Sequence, residues 1–401
     1  MNNILFINAA MIFQQLFSQF SCCSHQQIKN GKLHTKINRV RRLNSHLYLQ
    51  FHTEECYRQG RLWKGNQVWM VENKKSKSLY AMKIMSKAKI IAKKSVQSVM
   101  NELQLLSQLK HNFIINMQAA FQDRDNLYLV MDLLTGGDLR YHLCKQRKFT
   151  EEQTKFFVVC IIVSLEYLHV NGVLHRDVKP ENLVFDDKGY LKLTDMGIAR
   201  QWKPENAQDT SGTPGYMAPE VMCRQNHGVG VDYYALGVIV YECIMGKRPY
   251  VGKSRQEIRD QVIAKQVQIK NTDIPTGWSL EAVDFANKLI QRKPANRLGV
   301  NGPDEVKAHQ WFKDYSWDKL LDRQITAPYI PREDEMISIA NENRRDSANE
   351  IDPESVLSLR RNSIQAQFGG YSFNGSNNNN NNAKPQSTNV SVPAILSTKA
   401  N

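Results

Sequence analysis

The stretch that most constrains this chain is His175-Arg176-Asp177-Val178-Lys179-Pro180-Glu181-Asn182. It places a carboxylate, Asp177, a cation, Lys179, and an amide, Asn182, within six residues. An apolar helical run, Phe156–His169, precedes it. Thirteen residues after Asn182 comes Asp195-Met196-Gly197, behind the strand-like Tyr190-Leu191-Lys192-Leu193-Thr194. A fold that uses these groups together must carry them on two neighbouring loops, one leaving a helix and one leaving a strand.

The 401 residues, 41% of them hydrophobic, suffice for two or three domains with a packed core. No stretch has eighteen consecutive apolar residues, so no transmembrane helix is expected. The seven cysteines (22, 23, 56, 144, 160, 223 and 243) show neither CxxC pairs nor metal-ligand spacing. Cys144, Cys160 and Cys243 lie in apolar helical stretches and read as buried free thiols, which points to a reducing, cytoplasmic location. The net charge of +14 is uneven. Residues 1–53 hold six Lys/Arg and no acid, and residues 54–131 hold thirteen against six. No aromatic-interleaved basic stripe accompanies this excess, so nucleic acid is not an expected partner. A solvated basic surface, or attraction to nucleotide phosphates or an anionic membrane, accounts for it.

Met1–Phe20 is apolar and Asn/Gln-rich, without the basic start or A-x-A site of a secretory signal. Asn2 excludes the N-myristoylation pattern as written. Cys22-Cys23, followed by six Lys/Arg up to Arg42, reads either as an unmodified disordered arm or as an S-acylated peripheral membrane contact. The expected organisation is an N-terminal arm (1–46), a β-rich lobe (47–134), a helical lobe (135–314), a tail (315–373) and an Asn-rich end (374–401) that includes Asn377–Asn382. In the first lobe, Gln67–Val71, Ser78–Ile84 and Asn126–Met131 read as strands. Ala92–Leu109 reads as a helix, with Val96, Val99, Met100, Leu103, Leu106 and Leu109 on one face. Beyond Gly136-Gly137 the pattern is helical over 138–146, 151–169, 231–245, 257–264 and 280–291. This is an α+β fold of two lobes, hinged near Asp132–Gly137.

With these motifs in order, the chain resembles eukaryotic protein kinases of the AGC group, those related to the cAMP-dependent enzyme, over about residues 50–331. The resemblance implies a bilobal kinase fold, with ATP and Mg²⁺ as cosubstrate and metal. It implies that Lys83, in Tyr80-Ala81-Met82-Lys83, binds the α- and β-phosphates and pairs with Glu102. Backbone at Asp132 and Leu134 is implied to hold the base, and Val68 to line its pocket. Asp177 would take or orient the target hydroxyl's proton. Lys179 would offset charge on the moving phosphoryl group, and Asn182 and Asp195 would bind the metal. Lys179 also implies transfer to Ser/Thr rather than Tyr. His175 reads as structural, and Arg176 as a partner for an activation-loop phosphate. Asp195–Glu220 resembles an activation segment, ending in the AGC-like run Gly212-Thr213-Pro214-Gly215-Tyr216. Glu220 is expected to pair with Arg297, and Asp232 to brace the catalytic loop. Asp209 stands where the group carries a phosphothreonine, with Thr210 and Ser211 beside it as regulatory hydroxyls.

Asp138, Glu181 and Glu242 align with acids that receive substrate arginines, which implies protein substrates basic upstream of the target Ser or Thr. Phe368-Gly369-Gly370-Tyr371-Ser372-Phe373 resembles the C-terminal hydrophobic motif, with Ser372 as a phosphorylation switch. An upstream activating kinase and a monomeric state follow from the same resemblance. Arg344-Arg345-Asp346-Ser347 and Arg360-Arg361-Asn362-Ser363 read as self-phosphorylation sequences.

Two places depart from the pattern. Met196 replaces the usual Phe, an apolar exchange compatible with packing beside Leu106, Met117 and His175. More seriously, Tyr57–Asn66 offers only Gly60 and Gly65 where G-x-G-x-x-G-x-V should close over the phosphates. If this segment is encoded TAT-AGG-CAA-GGG-AGA-TTA-TGG-AAA-GGT-AAT, reading one nucleotide later gives Ile-Gly-Lys-Gly-Asp-Tyr-Gly-Lys-Val. That is a complete glycine loop, and a local frameshift explains the match. Sequencing the bases decides it. The alternative is a true degenerate loop on a catalytically impaired, scaffold-like kinase fold.

Overall fold

The computed structural model describes residues 51–57, 67–204, 208–331 and 362–375. The N-terminal arm and the segment containing Gly60 and Gly65 lie outside them. So do both self-phosphorylation sequences, apart from Asn362 and Ser363, and most of the Asn-rich end.

The first lobe is built on β1 (Phe51–Tyr57), β2 (Gln67–Asn73), β3 (Leu79–Ser86), β4 (Met117–Gln122) and β5 (Asn126–Asp132). All neighbours run antiparallel, in the order β1-β2-β3-β5-β4. β3 is central, so Val68, Lys83 and Leu129 stand side by side across three strands. A strand flanked on both sides has its backbone fixed by two ladders, which gives Lys83 a rigid base. β1 and β2 pair antiparallel.

The helix expected over Ala92–Leu109 is α2 (Val96–Gln108), starting four residues later than expected and preceded by a separate short helix, α1 (Lys87–Ala92). The chain turns between them at Lys94, whose φ of 52° no α-helix accommodates. α2 keeps the expected face: Leu103 and Leu106 are buried, and Val96, Val99 and Met100 pack against the core. Glu102 is buried with them.

The second lobe begins with α3 (Leu139–Gln146) and α4 (Glu151–Val170). Thr150 and Gln153 form a reciprocal capping box that starts α4, and Glu151 and Glu152 favour its positive end. α4 is long and apolar enough to cross a membrane by length and composition alone. Here it is the central core helix, buried on nearly every side. Short strands β6 (Val173–Leu174), β7 (Leu183–Phe185), β8 (Leu191–Leu193) and β9 (Arg200–Gln201) follow, paired β6–β9 and β7–β8. Next come α5 (Pro219–Met222), α6 (Gly230–Met245), α7 (Arg255–Ala264), α8 (Leu280–Leu289), α9 (Pro303–Lys307) and α10 (Trp317–Leu321). α6 and α8 pack closely because of Gly237, where a Cβ would stand 2.5 Å from the Leu289 Cβ. Cys160 and Cys243 are buried as expected, but Cys144 is exposed on the solvent side of α3.

The tail returns to the first lobe. After α11 (Asn362–Ala366), Phe368 and Tyr371 are fully buried, and β10 (Phe373–Asn374) adds an antiparallel strand to the free edge of β4. Gln122 donates to the Phe368 carbonyl at 2.8 Å. Lys87 donates to Gln365 at 2.8 Å and lies over the Phe368 ring.

Candidate active site

The loop after β6 is held from below by Asp232, a buried carboxylate on α6. It accepts from the backbone of His175 at 3.0 Å and of Arg176 at 2.8 Å, and His169 Nε2 lies 2.9 Å away. Burial alone would raise the Asp232 carboxyl, but its hydrogen bond with His169 and the nearby imidazoles hold it below the ordinary range. These bonds over-determine the loop, so Arg176 sits at a φ of 67°, a left-handed conformation that non-glycine residues rarely adopt. His175 is fully buried, with Nε2 3.0 Å from the Thr194 carbonyl, as its structural reading requires.

The side chains this loop presents converge. Lys179 Nζ donates to Asp177 Oδ2 at 2.6 Å and to Thr213 Oγ1 at 2.7 Å. Thr213 donates in turn to Asp177 Oδ1 at 2.6 Å. Asn182 donates to the Asp177 carbonyl at 2.8 Å and to its carboxylate at 3.3 Å. Burial pushes the Asp177 carboxyl up, but the bonds from Lys179 and Thr213 outweigh it and hold the group below the usual carboxylate range. An ionised carboxylate is therefore fixed beside a cation and an alcohol, an arrangement able to accept a proton from a substrate hydroxyl. Thr213 was not singled out from sequence. Its place in the Gly212–Tyr216 run, next to an aligned loop, was the available signal.

Lys83 and Glu102 form a buried ion pair at 2.8 Å, nineteen residues apart. Burial would lower the Lys83 ammonium, but the Glu102 and Asp195 charges raise it above its ordinary value. It stays a cation in an enclosed place, which suits polyphosphate binding. Asp195 adopts φ 61° and accepts from Gly197 N at 3.2 Å. Behind it Met196 is fully buried, as are Leu106, Met117 and His175. Asn182 spends its NH₂ on Asp177, which leaves the amide oxygen as its metal-binding atom. That oxygen and the Asp195 carboxylate are hard donors suited to Mg²⁺. No group of three or more His, Cys, Asp or Glu side chains placed to hold a metal ion exists among the described residues. A metal here would complete its shell with phosphate and water oxygens, so the donor set fits.

At the hinge, the Asp132 side chain bonds Lys192 at 2.8 Å, Asn116 at 2.8 Å and Gln118 at 3.1 Å. The carboxylate ties β4, β5 and β8 together, leaving backbone rather than side chain for a base. Leu134 follows, half-buried and packed on the core. Val68 is half-buried opposite Lys83.

Arg176 joins the activation segment to the loop. Its Nε and Nη2 donate to the Ile198 carbonyl, and its Nη1 to Asp209 at 2.9 Å. Thr210 offers its carbonyl to Arg255, and both Thr210 and Ser211 are half-buried. The far end is fixed by Glu220 and Arg297, paired at 2.6 and 2.9 Å and almost wholly buried. In the tail, Ser372 is exposed, and its N–H donates to the Gly370 carbonyl.

The three acids expected to receive substrate arginines each have a partner within the chain. Asp138 caps α3, accepting from Tyr141 N at 2.8 Å. Glu181 and Glu242 share a guanidinium from the chain itself, that of Arg140. Sequence reasoning weighed the acids alone and passed over a cation two residues beyond Asp138.

The sequence model for "Protein kinase domain" matches residues 64–312. The chain is 35% identical, over 86% of its length and 74% of the other's, to a probable serine/threonine-protein kinase of Dictyostelium discoideum. It is 36% identical to the serine/threonine-protein kinase sgk-1 of Caenorhabditis elegans, over 72% of this chain and 62% of that one. It is also 35% identical to a cAMP-dependent protein kinase catalytic subunit of Dictyostelium discoideum, over 66% of this chain and 40% of that one.

Proposed function

Because this chain belongs to the protein kinase family, within its AGC serine/threonine group, we propose that it transfers the γ-phosphoryl group of Mg²⁺-bound ATP to Ser and Thr hydroxyls of proteins, with Asp177 at the point of transfer. The observation that carries this reading is the convergence of Lys179, Thr213 and Asn182 on the Asp177 carboxylate at 2.6–3.3 Å.

Lys83, oriented by Glu102, holds the α- and β-phosphates, and the base lies against Val68 and the hinge backbone at Asp132 and Leu134. Asp177 orients the incoming hydroxyl and takes its proton as the oxygen attacks phosphorus. Lys179 releases part of its bond to Asp177 to meet charge on the transferring oxygens. Asn182 and Asp195 would hold Mg²⁺, which would supply charge neutralisation when bound. Most of the acceleration on this scheme is positional and electrostatic, as expected where the protein forms no covalent bond to the phosphoryl group.

Regulation follows from the same contacts. Asp209 already meets Arg176, so a carboxylate stands in for an activating phosphate, with less charge and fewer acceptor oxygens. Phosphorylation of Thr210 or Ser211 by an upstream kinase would add to an ordered segment rather than create one. Docking of Phe368 and Tyr371 buttresses the lobe that carries Glu102.

The test is transfer from ATP and Mg²⁺ to a serine peptide, comparing the protein with Asp177→Ala. Transfer above the mutant background supports the proposal. Equal signals from both would instead make the chain a binding scaffold.

A further inference from the structure

We propose that Arg140 occupies, from within the chain, the guanidinium subsite formed by Glu181 and Glu242 beside Asp177, and so removes selection for a substrate arginine there. The inference rests on the kinase reading above and concerns which peptides that site accepts.

The two acids belong to the peptide side of the cleft. Glu181 lies four residues after Asp177 on the same loop. Glu242 bonds the Tyr216 hydroxyl at 2.8 Å, and Tyr216 lies three residues after Thr213, whose own hydroxyl touches Asp177. Arg140 meets them as a substrate arginine would. Its Nη1 and Nη2 fork onto the two Glu242 oxygens at 2.7 and 3.0 Å. Its Nε donates to Glu181 Oε1 at 3.1 Å, and its Nη2 also reaches the Tyr216 hydroxyl. A bidentate fork with a third carboxylate contact is the strong form of guanidinium recognition.

The competition favours the internal cation. Arg140 sits in the first turn of α3, anchored by the Asp138 cap on one side and the fully buried Leu139 on the other. A tethered group faces its site at an effective concentration in the millimolar range or above, so a peptide arginine in trans at micromolar levels does not displace it. A second arginine placed next to it would meet like charge. The neighbouring floor reinforces this. Arg248 lies over the Tyr216 ring, 5.8 Å from its centroid. Its guanidinium also lies against Gly215, where no side chain intervenes. Two acids and two arginines thus share this patch, and its net charge is near zero. It therefore offers no field to draw in a basic peptide and admits neutral or acidic residues.

The experiment is an arginine scan. A serine peptide with alanine flanks receives one arginine at each of the five preceding positions in turn. kcat/KM is then measured for the full chain, Arg140→Met, Arg140→Gln and Arg140→Met/Glu242→Gln. A charge-assisted bond is worth about 1.5–3 kcal/mol, or roughly 10- to 150-fold. The unmodified protein should respond to every arginine by less than about 5-fold, well short of that gain. Both single variants should gain more than about 5-fold at one position, and the double variant should lose that gain. The same peptides carrying fluorescein are titrated by anisotropy. Failure of transfer would then count against the kinase reading, while the preference itself is still read from binding. The proposal is overturned if the unmodified protein already prefers arginine beyond that threshold, if removing Arg140 creates no preference, or if the gain survives Glu242→Gln.

Discussion

Replacing Glu220 by Ala tests how the activation segment is fastened. Arg297 is 0% exposed and Glu220 3% exposed at the side chain, so no water replaces the carboxylate. The pair makes two charge-assisted bonds at 2.6 and 2.9 Å, and the guanidinium lies over the Tyr234 ring. Removing one partner of a buried pair costs about 3–5 kcal/mol, because the other charge stays buried and uncompensated. Here Arg297 still donates to the Gly230 and Gln291 carbonyls at 3.0 Å each, which places the loss at about 3 kcal/mol. For a domain of this size that corresponds to a fall in Tm of roughly 6–12 °C. Urea unfolding followed by tryptophan fluorescence should show a lower midpoint with an unchanged slope. The double change Glu220→Met/Arg297→Met should recover most of the loss, since two apolar groups need no partner. A single-variant loss under about 1 kcal/mol, or a double variant whose losses simply add, would refute the reasoning.

Thr213→Val removes a hydroxyl that donates to Asp177 and accepts from Lys179, so kcat should fall by about 10-fold or more with little change in Tm. The Asp177 pKa is depressed in the fold, so its carboxylate contributes stability at neutral pH that is lost as pH falls through that low value. The acid limb of the rate profile should lie below the ordinary carboxylate range and move upward in Thr213→Val. Asp209→Ala should lower transfer by only about 2- to 5-fold, since the Asp209 side chain is 43% exposed and its pairing with Arg176 is screened. Phosphatase treatment of the unmodified protein should leave most of its activity. Phe368→Ala empties a fully buried aromatic site at a cost of about 3–5 kcal/mol, enough to release β10. Hydrogen exchange should then accelerate at the β4 edge around Ala119 and Ala120.

Two kinds of feature were readable from sequence: a short motif whose spacing puts Asp177, Lys179 and Asn182 on one loop, and the pairings implied by the kinase resemblance. The partnerships of Lys83 with Glu102 and of Glu220 with Arg297, of the second kind, are present in the structure. What escaped was set by distant packing. Lys94 turns left-handed and delays the start of the expected helix to Val96, setting α1 against β3 and α2 against β4. Periodicity could not tell the exposed Cys144 from the buried Cys160 and Cys243, since a thiol suits either side of a helix. β4 carries Gln118 and Gln122 among its apolar residues, and its role as an edge that β10 completes is set by a segment far along the chain. Arg140 escaped for a related reason. It reads as an ordinary helix-surface cation until the fold brings Glu181 and Glu242, 41 and 102 residues away, against it.

The most direct test separates holding nucleotide from moving phosphate. Asp177→Asn keeps the shape of the side chain and removes the charge that would take the proton. With ATP and Mg²⁺, calorimetry should give that variant nucleotide affinity close to that of the unmodified protein. Mass spectrometry of a serine peptide should show phosphate transferred by the unmodified protein and at least about 100-fold less by the variant. Equal transfer by both, or none by either while nucleotide still binds, would contradict the account.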